Sequence, residues 1–280
     1  MNLYKVLNKQ NGILVSPFRN FEYEPGKEYV CDDFDTNTKH DCSRGYYATG
    51  IDGLICSFRN LPGCEVWECE VGGRKVEIDQ FKRRYERIKI VCQVPIEEVK
   101  RLASVEEKKV GYKLAEALFP VNPLKIKAGT VTVTVTETEI KLLRQWASVG
   151  ASVWDSVWDS VNDSVSDSVR DSVGASVRDS VGDSVGASVR ASVGASVRDS
   201  VRDSVWDSVV DSVRAYISSL FPGIKKWKYI DHPEGENPFQ PCIDLWHRGL
   251  VPSYDGKVWR LHAGEKAEIV WEGKAEGGRE

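Results

Sequence analysis

The chain has 280 residues, of which 41% are hydrophobic and 29% are charged, and its formal net charge is -4. This composition is ordinary for a globular protein, and the charge gives no electrostatic reason to expect a nucleic-acid partner. The first residues lack the apolar core of a signal peptide, and no apolar run approaches the roughly 20 residues of a membrane span, so we expect a soluble cytoplasmic protein with no membrane partner.

The cysteines are the first candidates for a metal site. Six of the seven lie before residue 100, and no secretory signal accompanies them, which favours reduced thiols over a disulfide framework. Cys31, His40 and Cys42 could meet in space, but the chain has no Cys-x-x-Cys pair of the kind that zinc sites use. Loosely spaced thiols in a β-rich domain are more often small buried residues. We therefore expect no metal and no cofactor.

Residues 1–123 are predicted to form a β-rich N-terminal domain that ends in helices. Runs of aromatic and β-branched residues between turn residues predict strands at Leu3–Leu7, Gly12–Val15, Tyr29–Val30, Tyr46–Thr49, Glu65–Val71 and Arg87–Val94. Breaks are predicted at Pro25-Gly26, Pro62-Gly63 and Gly72-Gly73.

Three helices are predicted in the same domain. A short helix after Thr49 is expected to turn Leu54, Ile55 and Phe58 inward. The second begins at Pro95, where Glu97 and Glu98 in the first turn suit the helix dipole, and its predicted buried face is Ile96, Val99, Leu102 and Val105. The third carries Leu114, Ala117 and Leu118 and ends near Pro120.

Three short segments of this domain carry a resemblance. They are Tyr4–Leu7, Phe21–Tyr29 and Cys42–Ala48, the last running into the predicted strand at Cys64–Val71. In this order they resemble an uncharacterised domain family common in phage and prophage proteins, over residues 1 to about 95. The family usually has a histidine where Tyr47 stands, so no role is implied for that position. The resemblance implies a phage-type protein acting in the host cytoplasm, and it brings no established activity.

An enzymatic alternative starts from the Gly-aromatic-aromatic-small strand Gly45–Ala48. Followed by a short helix and an acidic strand with Glu65, Glu68 and Glu70, it looks like part of an ADP-ribosyltransferase fold. Such enzymes need a glutamate facing the electrophile and a residue that holds the nicotinamide ribose, and neither can be assigned. Paired aromatics on a strand are usually packing partners, and alternating glutamates are usually a solvated face. We expect a non-catalytic protein, with ADP-ribosyl transfer as the alternative.

Residues 124–146 are predicted to contain a strand and the start of a helix. Thr130–Val135 alternates threonine and valine, which is the period of a strand. Thr136 and Glu139 then form a Thr-x-x-Glu capping box, so a helix is predicted to begin here. Its apolar residues are Ile140, Leu142, Leu143 and Trp146.

Residues 147–214 repeat the four-residue unit (Asp/Ala)-Ser-Val-x without interruption, and we call this segment the array. Valine stands at every fourth position from Val149 to Val213. The fourth position varies freely, as expected of a side chain that touches little, and holds Trp154, Trp158, Asn162, Ser166, Arg170 and Gly174 among others. The array lacks the residue variety of a packed core, so it divides the chain into two modules.

An α-helix and a compact solenoid are both open for the array. The capped start and the absence of proline before Pro222 favour a helix, which would continue through residues 215–224. Asp167 with Arg170, and Asp199 with Arg202, would then pair on its surface. Against it, the glycines each cost about 1 kcal/mol, and a four-residue stripe rotates about 40° per unit, so one straight helix cannot bury every valine. A solenoid would turn valine inward. We favour the helix.

Residues 225–280 are predicted to form a small β-rich module. Its expected elements are a strand at Lys225–Ile230, a loop at His232–Pro241, helical turns at Cys242–His247 closed by Gly249, and strands at Val258–His262 and Ala267–Trp271. Asp255-Gly256 between apolar runs is the strongest short-range signal of a hairpin.

Two sets of side chains in this module are candidates for a site. We expect the tryptophans to supply core volume, with a carbohydrate or peptide surface as the alternative. We expect the histidines to serve as surface or core residues, because no closely spaced ligand pair supports a metal triad. The tryptophans are Trp246, Trp259 and Trp271, and the histidines are His232, His247 and His262.

The sequence thus predicts an α+β protein with a β-rich N-terminal domain, a long central repeat and a small β-rich C-terminal module. No phosphate-binding glycine loop, nucleophile elbow or dinucleotide fingerprint is present. A phage- or prophage-type accessory protein, in which the array is a spacer or an assembly surface, is the leading hypothesis. Self-association through the array is the partner that we expect. Eleven aspartates against six arginines make the array acidic, which disfavours nucleic acid.

Overall fold

The computed structural model describes residues 2–17, 19–57, 64–79, 81–126, 134–153, 161, 163–164 and 203–274. The chain divides into two compact units, Met1–Phe119 and Pro120–Glu280. Each unit contains strands and helices, so the protein is of the mixed α+β class. Among the helices in these ranges, none combines the length and the apolar character that crossing a membrane requires.

Seven strands form one antiparallel sheet in the N-terminal unit. They are β1 (Leu3–Gln10), β2 (Ile13–Val15), β3 (Glu22–Tyr23), β4 (Glu28–Val30), β5 (Tyr46–Ala48), β6 (Cys64–Glu77) and β7 (Arg83–Val94). Their order across the sheet is β3-β2-β1-β6-β7-β4, and β5 also pairs with β7. The six predicted strands are confirmed, and β3 was missed. The predicted break at Gly72-Gly73 is wrong, because β6 passes through it with a shift of register that absorbs the glycines as a bulge.

A bridge between β1 and β5 closes this sheet on itself. Tyr4 and Thr49 exchange two backbone N–H···O bonds of 2.8 and 3.0 Å, so β1, β6, β7 and β5 form a ring of paired strands. Where β1 and β5 separate, the Lys5 ammonium donates to the Tyr47 carbonyl at 2.9 Å. Burial lowers the pKa of this ammonium to about 8.

The helices described in the N-terminal unit include one of 15 residues and two much shorter ones. A 3-10 turn (Ile51–Gly53) leads into α1 (Leu54–Ser57), and α2 (Ile96–Val110) and α3 (Leu114–Leu118) follow β7. Leu54, Ile55 and the three predicted residues of α3 are buried as expected, and Phe58 lies outside the described residues.

The predicted buried face of α2 is right at Val99 and wrong at its two ends, Ile96 and Val105. Ile96 and Val105 are each more than half exposed, and the buried residues are Val99, Ala103 and Val110. Nine residues separate Ile96 from Val105, which is about two and a half helical turns, so the two side chains lie on opposite sides.

The helices of the C-terminal unit begin with the predicted capping box. We label them α4 (Glu137–Val153), α5 (Asp203–Ser218) and α6 (Gln240–His247). The Thr136 N–H donates to the Glu139 carboxylate at 2.9 Å, and the Thr138 N–H donates to the Thr136 hydroxyl at 3.3 Å. The predicted helix start is therefore confirmed. Of the predicted strand Thr130–Val135, only Thr134 and Val135 are described, and they form no strand.

Most of the array lies outside the described residues. Its first residues belong to α4, its last three units belong to α5, and Val161, Asp163 and Ser164 are helical as well. The described parts are therefore helical, in line with the structure that we favoured. The remaining units stay a prediction.

The C-terminal module is a three-stranded antiparallel sheet packed on helices. The strands are β8 (Val251–Tyr254), β9 (Trp259–Ala263) and β10 (Glu268–Gly273), in the order β10-β9-β8. The predicted hairpin is confirmed, because Asp255 accepts from the N–H groups of Lys257 and Val258, both at 2.9 Å, and Gly256 has a φ of 89°.

The predicted strand Lys225–Ile230 is wrong, because these residues form turns. Trp227 and Ile230 are buried, but Tyr229 between them has a φ of 63°, a left-handed conformation that ends an extended chain. The helical turns at Cys242–His247 are confirmed within α6, and Gly249 follows with a φ of 81°.

Candidate functional site: the anchor of the array

Both ends of the array lie against the same short helix. α4 packs on α6, and α5 packs on α6 and β8. α6 has 8 residues and is therefore about 12 Å long. One straight helix through the undescribed residues between α4 and α5 would place these ends about 75 Å apart. That arrangement is not compatible with the packing of both ends on α6, so the array leaves and returns to one place.

The helix α4, which leads into the array, is held by an ion pair whose carboxylate is buried. Arg248, one residue beyond α6, donates through Nη1 to Oε1 of Glu139 at 2.7 Å, and the Glu139 side chain is only 10% exposed. Burial by itself raises the pKa of Glu139, but hydrogen bonds from Thr136, from its own N–H and from Arg248 lower it to about 2. One turn and two turns further along α4, Leu143 and Trp146 are fully buried.

The end of the array is held by aromatic stacking. Tyr216 is fully buried and lies parallel to Trp246 of α6, with ring centroids 5.0 Å apart and 15° between the planes. Its hydroxyl accepts from the Val121 N–H at 2.9 Å. The four-residue spacing of buried apolar side chains continues beyond the array, because Val209, Val213, Ile217 and Phe221 are all buried.

The polar residues of the last unit find partners inside its own helix. The Ser212 hydroxyl donates to the Val209 carbonyl at 2.7 Å, which satisfies a buried hydroxyl without outside help. Asp211 is 4% exposed and accepts from Arg214 at 2.7 Å. This is the Asp-to-Arg spacing of three that was predicted for units outside the described residues.

A third contact joins the array to the loop 225–231. The Tyr229 hydroxyl donates to the Asp163 carboxylate at 2.9 Å, and the Lys228 N–H donates to the Ser164 hydroxyl at 3.0 Å. Ser164 and the nearby Val161 are buried. The array is therefore fixed at its start, at its end and at one unit between them.

The N-terminal unit offers a second polar cluster, in the loop between β4 and β5. Arg84 is fully buried and donates to the carbonyls of Asn37 at 2.7 Å and His40 at 2.8 Å. Gly45 has a φ of 138°, and a Cβ there would lie 2.6 Å from Cγ of Arg84, so only glycine fits. These contacts make Arg84 the residue that shapes the loop.

An exposed imidazole in this loop is paired with a carboxylate. His40 Nδ1 lies 2.7 Å from Asp35, which also accepts from the Asn37 N–H at 2.8 Å and from the Ser43 hydroxyl. The Ser43 hydroxyl, the Asn37 N–H and His40 hold the pKa of Asp35 well below its usual range. A carboxylate–imidazole pair can move protons. Here the carboxylate is committed to folding the loop, so a structural role accounts for it.

The residues considered for metal binding are not brought together. Cys42 contacts Lys82, with 3.3 Å between Sγ and Nζ, while Cys31 contacts Asp33. Across the ranges that the structure describes, no group of three or more His, Cys, Asp or Glu side chains is placed to hold a metal ion.

The three histidines of the C-terminal module do separate work. His232 accepts the Trp227 N–H at 2.9 Å, and His247 meets the edge of Tyr216. His262 is fully buried, with Nε2 2.7 Å from the Ser253 hydroxyl. Of the tryptophans, Trp246 and Trp259 are buried and Trp271 is half-buried, which confirms a core role for the first two.

The aromatic residues of the strand that suggested an ADP-ribosyltransferase make contacts within the fold. Tyr46 packs with Phe21, Tyr23 and Tyr29, with ring centroids 5.8 to 6.5 Å apart. The Tyr47 hydroxyl accepts from the Ser43 N–H at 2.8 Å.

The glutamates of β6 are also engaged within the fold. Glu65 accepts from the Trp67 indole at 3.1 Å, and Glu70 accepts from Lys89 at 3.3 Å. Together with the tyrosine contacts, this favours packing and surface roles over catalysis.

Comparisons with protein families, with curated proteins and with solved structures find no match to this chain.

Proposed function

We propose that this is a non-catalytic, phage- or prophage-type accessory protein in which the array is an assembly surface, held at both ends on the C-terminal module. The observation that carries the proposal is the packing of α4 and α5 on the same helix, α6. A spacer has to separate its ends, and these ends are adjacent. Additional units would lengthen the chain between α4 and α5 without changing how these helices pack on α6. Each added unit would add the same surface again.

The polar chemistry of the described residues supports a binding role over a catalytic one. The charged groups with shifted pKa values at the anchor and in the loop, Glu139 and Asp35, are engaged in hydrogen bonds that hold the backbone in place. The array repeats charges of both signs, with eleven aspartates and six arginines, so opposite charges on two copies can pair. A second copy of this chain is the partner that we propose.

Light scattering and sedimentation of the full chain test this proposal. We expect self-association in one of two forms. A repeated surface that meets its own copy either closes into an oligomer of fixed stoichiometry or forms assemblies that grow with concentration. Deleting residues 175–190, which are four whole units, should weaken association while the thermal unfolding of the anchor is unchanged.

A length-matched control separates assembly from spacing. Here the same 16 residues are replaced by a glycine–serine linker of equal length. An assembly surface would lose association in this control as in the deletion, whereas a spacer would be unaffected by it. A compact monomer for all three chains at every concentration would refute the proposal.

A further inference from the structure

The loop 225–231, here called the docking loop, holds one Asp-Ser pair of the array with two donors. Tyr229 supplies its hydroxyl to the Asp163 carboxylate, and the next residue back, Lys228, supplies its backbone N–H to the Ser164 hydroxyl. Adjacent donors therefore meet adjacent acceptors. The contact is a two-point recognition of a dipeptide.

The docking loop is held in its conformation by contacts of its own. Trp227 is buried against Phe239, with ring centroids 5.3 Å apart. The backbone N–H of Trp227 donates to Nε2 of His232 at 2.9 Å. Ile230 is buried on the other side of Tyr229. Between the buried residues Trp227 and Ile230, Tyr229 has a left-handed backbone that costs a non-glycine residue about 1 kcal/mol or more. The residue as a whole is 62% exposed, so Tyr229 lies at the surface of the unit.

Both acceptors lie outside the variable fourth position of the repeat. The docking loop contacts the carboxylate of an aspartate and the hydroxyl of the serine that follows it, and eleven units of the array carry that same dipeptide. The variable fourth position takes no part in these two hydrogen bonds. The polar contact therefore has no means of distinguishing one acidic unit from another.

We infer that the docking loop is a general binding site for Asp-Ser units and that it takes a unit from the array of a second copy in place of its own. This inference rests on the proposed function, since it supplies the contact through which the arrays would assemble. Exchange of an identical element between copies replaces each lost hydrogen bond with the same bond. Whether the loop holds a unit of its own chain or of a second copy then depends on protein concentration. The chain's own units are tethered near the loop at an effective concentration on the order of millimolar.

Photo-crosslinking in the full chain tests the inference. A benzophenone side chain replaces that of Lys228, which is exposed, so the backbone N–H that meets Ser164 stays in place. Heavy-isotope and light chains are mixed, irradiated at several concentrations and mapped by mass spectrometry. We expect crosslinks to several acidic units, with a share of heavy–light crosslinks that rises with concentration.

Two variants and a control test whether the docking loop binds Asp-Ser units in general or only the unit that contains Asp163. Tyr229→Phe should lower crosslinking into the array roughly five-fold, the factor for losing one ordinary hydrogen bond. Asp163→Ala should leave crosslinking nearly unchanged, because a neighbouring unit takes its place. Asp231→Asn changes an exposed carboxylate of the same loop that bonds to none of the described array residues, and it should have no effect.

Three results would overturn the inference. They are crosslinks confined to residues 159–166 of the same chain at every concentration, a loss in Asp163→Ala as large as that in Tyr229→Phe, and no loss in Tyr229→Phe. Light scattering on the same samples shows whether only the docking-loop inference fails or the proposed assembly function fails as well. An oligomer without heavy–light crosslinks leaves the assembly proposal standing and removes the docking loop from it, whereas a monomer throughout removes both.

Discussion

Replacing Glu139 with glutamine should remove part of the acid sensitivity of the C-terminal unit. Burial alone would raise the pKa of this carboxyl, but the Thr136 hydroxyl and N–H, the Glu139 N–H and Arg248 together lower it to about 2. In the unfolded chain it titrates at 4.5. Because the folded pKa is the lower one, the ionised carboxylate stabilises the fold above pH 4.5, and this stabilisation is lost as the pH falls towards 2.

The size of the effect follows from the two pKa values. Without any weakening by solvent, the difference between the two pKa values corresponds to a contribution of about 3 kcal/mol to the free energy of unfolding. Arg248 is 46% exposed, and solvent weakens an ion pair that it reaches, so we expect about 1–2 kcal/mol in practice. Glutamine keeps the size of the side chain and part of its hydrogen bonding, and it does not titrate.

Urea unfolding at pH 7 and pH 3, followed by tryptophan fluorescence, measures this directly. Trp67 is the single tryptophan before residue 120, so the signal comes mainly from the C-terminal unit. The matched control is Glu137→Gln, on the same turn of α4, whose carboxylate is 77% exposed and bonds to Arg144. The control should keep the acid sensitivity of the natural chain. If Glu139→Gln loses as much stability between pH 7 and pH 3 as the natural chain does, the reasoning is wrong.

Two further predictions concern the interiors of the two units. Gly45→Ala should destabilise the N-terminal unit by about 2–3 kcal/mol, because its Cβ would meet pinned Arg84, whereas Gly26→Ala, with a φ of 83° and nothing within 4 Å, should cost only about 1 kcal/mol. Thermal unfolding checks both, and equal losses would contradict the steric argument. Burial lowers the pKa of His262, so the fold is stabilised by the neutral imidazole above pH 6.5 and loses that contribution below it. NMR titration of His262 should give a pKa below 6.5, and a value at or above it would contradict this.

The elements that the sequence predicts well are set by neighbouring residues. The capping box at Thr136 and Glu139 and the Asp255-Gly256 hairpin involve partners three residues apart or fewer, so spacing alone identifies them. The strand expected at Lys225–Ile230 fails for the opposite reason. Trp227 and Ile230 are buried one by one in a folded loop, and composition cannot distinguish such a loop from a strand.

The anchor of the array could not be predicted, because its contacts join residues far apart in the chain. Arg248 reaches Glu139 across 109 positions, and Tyr216 reaches Val121 across 95. Each of these side chains looks like an ordinary surface or core residue in its own segment. Only the fold shows that Arg248 and Trp246 of one short region receive both ends of the repeat.

Helix geometry limits how many successive valines of the array can lie on one buried face. Four residues turn a helix by about 400°, so the valine stripe shifts by about 40° from one unit to the next. Val209, Val213 and Ile217 thus span about 80°, which fits one buried face of about 100°, and the next buried residue of this spacing, Phe221, lies beyond the end of α5. A repeat of this period can therefore be fixed to a module only for about three units at a time. In a continuous helix, further units would turn their valines towards a different surface, and we propose as their partner a second copy of the array, whose valines turn about the axis at the same rate.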